Sequence, residues 1–428
     1  MELVNKTYKK RLVDGLIQKK LKSIGAVLID GLKWCGKTTT GLKACQSVLY
    51  MQDPATTKRN IEISEIDPAI LLEGNTPRLI DEWQLAPKLY DAIRFEIDKR
   101  NKFGQFIMTG SSTPVDFKSI THTGTGRISR VLMRTMSLWE SIESTGEVSF
   151  RELFNGNTDV RGFSSKKLLD IANIICRGGF PASLDLNKED ALMIPYNYYD
   201  SIISREIINV DNVSRDKEKV KKLIKSLARN IASTVKIPTI IKDIKMYDNE
   251  KISDVTINNY ITALKNTFII EDLNAWNPNI RSKTSIRTSS TKYFVDPSIA
   301  VAALGLGPND LINDLNTFGL LFENLCVRDL KIYAETLDGE LYKYRDARGL
   351  ECDAVIHLRN GKYCLIEIKL GGDKLIEEGA KTLLEFEKLI DTDKMNAPVF
   401  KMIISAVGDY AYTRKDGIIV TPISCLKA

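Results

Sequence analysis

The residue types best suited to chemistry stand close together near the N-terminus. Residues 26–40 read AVLIDGLKWCGKTTT, an apolar run from Ala26 to Ile29 leading into Gly31-Leu32-Lys33-Trp34-Cys35-Gly36-Lys37-Thr38. Thr39 belongs to a helical pattern that continues through Ala44. The spacing is G-x-x-x-x-G-K-[ST] between a strand and a helix. Gly31 and Gly36 permit backbone angles by which successive amides turn inward around a phosphate. Lys37 then reaches the β- and γ-phosphates, Thr38 offers a hydroxyl to Mg2+, and the helix points its positive end at the anion. The chemistry implied is the binding of a nucleoside triphosphate, ATP with Mg2+, along residues 31–39.

A second group fits the same reaction. Pro77-Arg-Leu-Ile-Asp81-Glu82-Trp83 is a short apolar strand ending in two acids. Asp81 is placed to hold Mg2+ through water, and Glu82 to polarise the attacking water. Gln105–Met108 is another short strand, ending in Thr109-Gly110-Ser111-Ser112. Thr109, and after it Ser111, suits a sensor of the γ-phosphate; ordinary turn chemistry at a strand end suits the same residues. Next comes the glycine-flexed loop His122-Thr-Gly-Thr-Gly126-Arg127-Ile-Ser-Arg130. Arg127 or Arg130 could act as an arginine finger on the phosphate of a neighbouring copy in a homo-oligomer. A solvated basic loop accounts for them equally well.

These groups need a scaffold, and the pattern supplies one. Strand-like runs at Ala26–Ile29, Ser47–Gln52, Arg78–Asp81 and Gln105–Met108 alternate with helical stretches, which points to an α/β fold with a parallel sheet. Lys88–Arg100 is one such helix, with Leu89, Ile93 and Ile97 at helical spacing. Residues 1–24 read as an amphipathic helix, with Tyr8, Leu12, Leu16 and Leu21 on one side, that caps the nucleotide domain and has no catalytic part. At 428 residues the chain is too long for a single core. It holds no apolar run near the ~20 residues of a membrane span. Its seven cysteines are scattered without a C-x-x-C pair and its histidines number two, which argues against a disulfide framework or a zinc site and for a reducing cytoplasm. The net charge of +6 gives weak support for a polyanionic partner.

The order of motifs resembles one known group. Phosphate loop, Leu-Ile-Asp-Glu, Met-Thr-Gly-Ser-Ser, Gly-Arg-Ile, Met-Ser-Leu-Trp-Glu (136–140) and Arg177-Gly178-Gly179-Phe180-Pro181 follow each other as in prokaryotic AAA-superfamily ATPases with a C-terminal domain of uncharacterised function. The resemblance spans nearly the whole chain. It implies that Arg177 opens a helical lid and serves as a second sensor of the nucleotide. That group often carries Arg and Val where Lys33 and Cys35 stand here, a departure that leaves the phosphate-binding positions intact.

Two further stretches carry possible chemistry. Residues 217–251 hold ten Lys or Arg against four Asp or Glu. Helical patterns at Val220–Ile231, Ile237–Ile244 and from an N-cap at Ser253 or Asp254 precede an extended Phe268–Leu273, a loop with Arg281, Lys283 and Arg287, and the strand-like Lys292–Val295. Three helices and a basic hairpin outline a winged helix. Thr256, Asn258, Asn259, Thr262 and Lys265 on its third helix could meet DNA, and a plain packing domain is the alternative. Farther on, Glu323 lies on a helix, Asp353 near the start of a strand, and Glu367 and Lys369 alternate on the next strand. Helix-Glu, strand-Asp and Glu-x-Lys resemble the signature of the restriction-endonuclease-like fold, with Cys352 where the named motif has Pro. On that likeness Asp353 and Glu367 would hold Mg2+, Glu323 would complete the shell, and Lys369 would stabilise an attacking hydroxide.

The expected layout is an AAA-type P-loop domain over 1–160, a helical lid over 161–215, a winged helix over 216–300 and a restriction-endonuclease-like α/β domain over 301–428. The expected partners are ATP and DNA, with no membrane.

Overall fold

A computed structural model describes residues 8–111, 124–207, 215–245, 253–277, 290–346 and 348–428. His122 and the expected wing cations Arg281, Lys283 and Arg287 lie outside the described residues. The chain forms two compact units. Ile202–Lys217 and Tyr260–Ile269 group with Met1–Thr135 in the first, while Met136–Ser201 group with Glu218–Asn259 and Ile270–Ala428 in the second.

The first unit is built on α1 (Leu12–Leu21), β1 (Ala26–Asp30), α2 (Lys37–Ala44), β2 (Ser47–Tyr50), α3 (Thr57–Ile66), β3 (Arg78–Asp81), α4 (Lys88–Arg100), β4 (Phe106–Gly110) and β5 (Ile128–Leu132). Its five-stranded sheet has the order β2-β3-β4-β1-β5 and is parallel throughout. Every residue of β1 and β4 is buried, as in a parallel sheet covered on both faces. On α4 the expected stripe of Leu89, Ile93 and Ile97 is the buried one, packed with Leu28, Ile80, Trp83 and Met108. The register sets Asp81 beside Thr109 and Asp30 beside Gly110, so the chemically active ends of β1, β3 and β4 line one edge of the sheet. That carboxyl edge is where ligands bind in open α/β sheets.

The second unit follows as β6 (Val148–Ser149), α5 (Phe150–Phe154), β7 (Gly162–Phe163), α6 (Leu168–Arg177), α7 (Lys188–Ser201), α8 (Lys217–Arg229) and α9 (Ile237–Lys245). Next come α10 (Asp254–Asn266), shared between the units, then β8 (Ile270–Leu273), β9 (Thr291–Phe294), α11 (Pro297–Leu304), α12 (Pro308–Asn313) and α13 (Leu315–Thr336). The chain ends through β10 (Gly339–Arg345), β11 (Glu351–Leu358), β12 (Tyr363–Lys369), α14 (Asp373–Glu387), β13 (Phe400–Ser405), β14 (Tyr410–Thr413), β15 (Ile418–Pro422) and β16 (Leu426–Lys427). Ser253 is the N-cap of α10, its hydroxyl accepting the Thr256 amide at 3.1 Å. Strands β8 and β9 pair as an antiparallel hairpin.

The large sheet of this unit runs β10-β11-β12-β13-β15-β14-β7. Strands β10 to β12 form an antiparallel meander, and α14 carries the chain over to β13, parallel to β12. Among the described residues no helix is long and apolar enough to cross a membrane.

A buried ion cluster ties the unit together. Arg328 on α13 is 1% exposed and reaches Asp296 at 3.2 Å and Asp329 at 2.8 Å. Asp329 also accepts the Leu138 amide, and Asp296 the Gly179 amide, each at 2.9 Å. Gly178 sits at φ +72, and a Cβ there would come within 2.3 Å of the Ser298 hydroxyl; at Gly179 it would come within 2.2 Å of the Met136 carbonyl. The Arg-Gly-Gly-Phe-Pro and Met-Ser-Leu-Trp-Glu stretches are therefore packed against each other, and only glycine fits the contact.

Candidate nucleotide site and C-terminal carboxylates

Glycine in the loop after β1 has a packing cause as well as a ligand cause. Gly31 has φ +147, and a Cβ there would lie 2.2 Å from the Met133 carbonyl oxygen. Gly36, at φ +101, precedes the first turn of α2. Lys37 is 5% exposed, and its ammonium donates to the Gly31 and Leu32 carbonyls, both at 2.8 Å. The charge is thus parked on the loop's own oxygens, where an arriving phosphate can replace them. Within the loop Cys35 is buried, Lys33 half-buried, and Trp34 more than half exposed at φ +64; Thr39 on α2 is exposed.

The acids at the end of β3 stand against the polar end of β4. Asp81 is buried, and its Oδ1 accepts the hydroxyls of Thr38 at 2.8 Å and Thr109 at 2.5 Å. Its Oδ2 accepts the Gln52 side-chain amide at 2.5 Å. An oxygen-only set of buried carboxylate and hydroxyl beside a phosphate loop fits the preferences of Mg2+. Glu82 adopts a left-handed backbone at φ 58, a conformation that costs a residue with a Cβ roughly 1–2 kcal/mol. Its amide donates to Thr109 at 3.4 Å, and its carboxylate accepts the Ser111 hydroxyl at 2.9 Å and the Gln84 side-chain amide. These hydrogen bonds hold Glu82 in its left-handed conformation. Sequence pattern missed Gln52 and Gln84, because amides at strand ends carry no signature.

The two candidate finger residues are both engaged within their own unit. Arg127 pairs with Asp98 at 2.8 Å, and Arg130 with Asp30 at 2.9 Å. Asp30 directly precedes Gly31, and burial pushes its carboxyl up to about 6 although Arg130 and Lys37 pull the other way. Arg130 therefore stands beside the phosphate loop of its own chain. Arg177, the expected second sensor, donates to Glu143 at 2.8 Å, and Lys166 pairs with the same carboxylate.

In the second unit Asp353, Glu367 and Lys369 lie together, and burial, followed by the Asp353 charge, raises the Glu323 carboxyl above its usual value. Asp353 accepts the Ile368 amide at 2.9 Å, and Lys369 lies 2.6 Å from Glu367 and 3.6 Å from Asp353. Burial, and then the Asp353 charge, push Glu367 up to about 8 against the pull of Lys369, and Glu367 Oε1 is buried without a hydrogen-bond partner. Burial alone would lower Lys369, but Asp353 and Glu367 outweigh it and hold the ammonium above its usual value. Glu323 has partners of its own. Its Oε1 accepts the Tyr293 hydroxyl at 2.6 Å and the Lys343 ammonium at 2.8 Å. Among the described residues no three His, Cys, Asp or Glu side chains gather as a metal shell. Lys343, a cation from β10, pairs with Glu323 and also feels the Asp353 charge. Cys352, in the place of the motif proline, is buried, and its thiol faces the Ala354 and Ile366 carbonyls at 3.4 Å.

Comparison with known proteins bears on the first unit most. Residues 23–142 match the family model described as an AAA domain. Residues 168–310 and 318–426 match two domains of unknown function, DUF8612 and DUF4143. The chain is similar to uncharacterized proteins of Mycobacterium tuberculosis and Mycobacterium bovis, each 20% identical over 412 residues, 95% of this chain and 82% of theirs. Among solved structures, AMPPCP-bound DnaA from Aquifex aeolicus is 12% identical and covers 62% of this chain and 93% of its own, with a TM-score of 0.29. A signal transduction ATPase with a tetratricopeptide repeat sensor from Pyrococcus horikoshii is 15% identical, over 78% of this chain and 49% of its own, with a TM-score of 0.26.

Proposed function

We propose that this protein is a Mg2+-dependent ATPase that acts on DNA. The observation that carries the reading is the gathering of Lys37, Thr38, Asp81, Thr109 and Glu82 at one edge of the parallel sheet, with Thr38 and Thr109 both bonded to Asp81. Thr38 and Asp81 would hold Mg2+, which supplies positive charge to the β- and γ-phosphates. Lys37 leaves the Gly31 and Leu32 carbonyls for the phosphates, and the amides of residues 31–38 line the anion. Glu82 polarises the attacking water, with Ser111 and Gln84 orienting its carboxylate. Thr109 ties the position of Glu82 to that of Asp81. Arg130 is the nearer of the two loop arginines to a phosphate in its own chain; an arginine donated across a homo-oligomer remains part of this reading only for a copy in which these ion pairs open.

The DNA part of the proposal draws on the order of α8, α9, α10 and the β8–β9 hairpin, and on the excess of cations over residues 217–251. Nuclease-like character draws on the meander-helix-strand order of β10 to β13 and on Asp353, Glu367 and Lys369 lying together. A second reading, in which that domain binds nucleic acid or protein without cutting, is favoured by Lys343 occupying Glu323. ATP turnover with and without duplex DNA, with Lys37→Ala as control, tests the main reading. Turnover stimulated by DNA and lost in the variant is expected; wild-type turnover in the variant refutes it. Metal-dependent nicking that disappears in Asp353→Ala would exclude the non-cutting reading.

A further inference from the structure

We propose that Arg11, outside the phosphate-loop motif, is a positioning residue that turns the Gly36 amide toward the phosphates. The inference rests on reading residues 31–38 as the nucleotide site. Arg11 is 5% exposed, just ahead of α1, and its guanidinium donates to the Cys35 carbonyl at 2.8 Å and to the Arg134 carbonyl at 2.9 Å. A trans peptide unit carries its C=O and the next N–H in opposite directions. A hydrogen bond that draws the Cys35 oxygen toward Arg11 therefore aims the Gly36 N–H to the opposite side. Without that hold, the peptide between Cys35 and Gly36 could rotate by the soft angles on either side. Glycine at Gly36 places little steric limit on such a turn. The flipped peptide would present a carbonyl dipole to an anion.

The loop around this peptide leans on the same wall. The Cys35 thiol faces the Met133 carbonyl at 3.4 Å, Gly31 abuts that carbonyl with no room for a side chain, and the Met133 amide donates to the Asp30 backbone carbonyl at 2.7 Å. Arg11 closes this set by spanning from the loop to Arg134. Its planar fork reaches two carbonyls at once, which a lysine ammonium on a flexible stem does not reproduce. The start of α1 is secured separately: Asp14 accepts the Arg11 amide at 2.9 Å and the Tyr8 hydroxyl at 2.6 Å. This allows the helix start and the guanidinium to be perturbed independently.

The test is ATP affinity, steady-state kinetics and hydrogen exchange of the loop peptide in the full chain. Arg11→Ala and Arg11→Lys should weaken ATP binding about ten- to a hundredfold, the worth of one hydrogen bond to a charged group. Because the Gly36 amide meets phosphate in ground and transition state alike, KM should rise while kcat holds. Exchange protection of residues 31–40 by saturating ATP should shrink in both variants. Asp14→Asn, which loosens the helix start and leaves the guanidinium in place, should bind within about twofold of wild type. If Arg11→Ala does not fold, Arg11→Lys decides. A wild-type chain that binds no ATP overturns the nucleotide reading and this inference with it. A wild type that binds, with both Arg11 variants within twofold of it, overturns the role of Arg11 alone.

Discussion

Replacing Arg328 by Met should expose how much the second unit depends on its buried ion cluster. The side chain is 1% exposed, and its guanidinium makes the ion pairs to Asp296 and Asp329. Methionine fills similar space but strands two buried carboxylates. Removing one partner of a buried pair typically costs 3–5 kcal/mol, because the charge left behind has neither water nor counter-ion. Both carboxylates keep amide donors, Leu138 to Asp329 and Gly179 to Asp296, so about 3 kcal/mol is the reasoned figure. At about 2–4 °C per kcal/mol for a unit of this size, the melting midpoint should fall by roughly 6–12 °C.

The pH dependence makes the argument sharper. Burial pushes Asp329 up to about 6 even with Arg328 beside it. A carboxyl whose folded value is raised stabilises the fold fully below its unfolded value, near 4, and that contribution is lost as pH rises through about 6. Without Arg328 the value rises further, so the loss extends to higher pH. The variant's deficit should therefore be largest near pH 8 and shrink toward pH 5, where protonation removes the stranded charge. Urea unfolding of both proteins across that range measures it. A deficit below about 1 kcal/mol, or one that is flat with pH, would refute the account.

Two other outcomes can be measured alongside. Glu82→Gln should keep ATP bound and stop turnover, whereas Asp81→Asn, which removes the anion shared by Thr38, Thr109 and Gln52, should weaken Mg2+-dependent binding; exchanged phenotypes would reverse the assigned roles. Lys343→Met should free Glu323 from its cation, so Mn2+ should raise the melting temperature of this variant more than that of wild type, and equal shifts would mean that Lys343 does not occupy a metal position.

What was legible in the sequence was local. The phosphate loop, the Asp-Glu strand end and Glu367-x-Lys369 are fixed by spacing of a few residues, and the strands and helices that carry them sit where periodicity put them. What was not legible depends on partners far apart in the chain. Arg11 meets Arg134 across 123 positions, and Arg328 meets Asp296 across 32, separations over which no periodicity operates. Arg127 and Arg130 were readable as cations, but Asp98 and Asp30 as their acceptors were not. Lys343 shows the limit most clearly. Alternation along β10 puts it on the face of Leu341, both buried, so its inward direction could be read. Its consequence could not. The pairing of β10 with β11 shifts register between Tyr342 and Tyr344, an irregularity of the kind that re-aims a side chain, and Lys343 lies at that step. Its ammonium then meets Glu323 from α13, although the helix glutamate alone suggested a third metal ligand. Residue types announce which charges a fold has available, while strand register decides which of them neutralise one another.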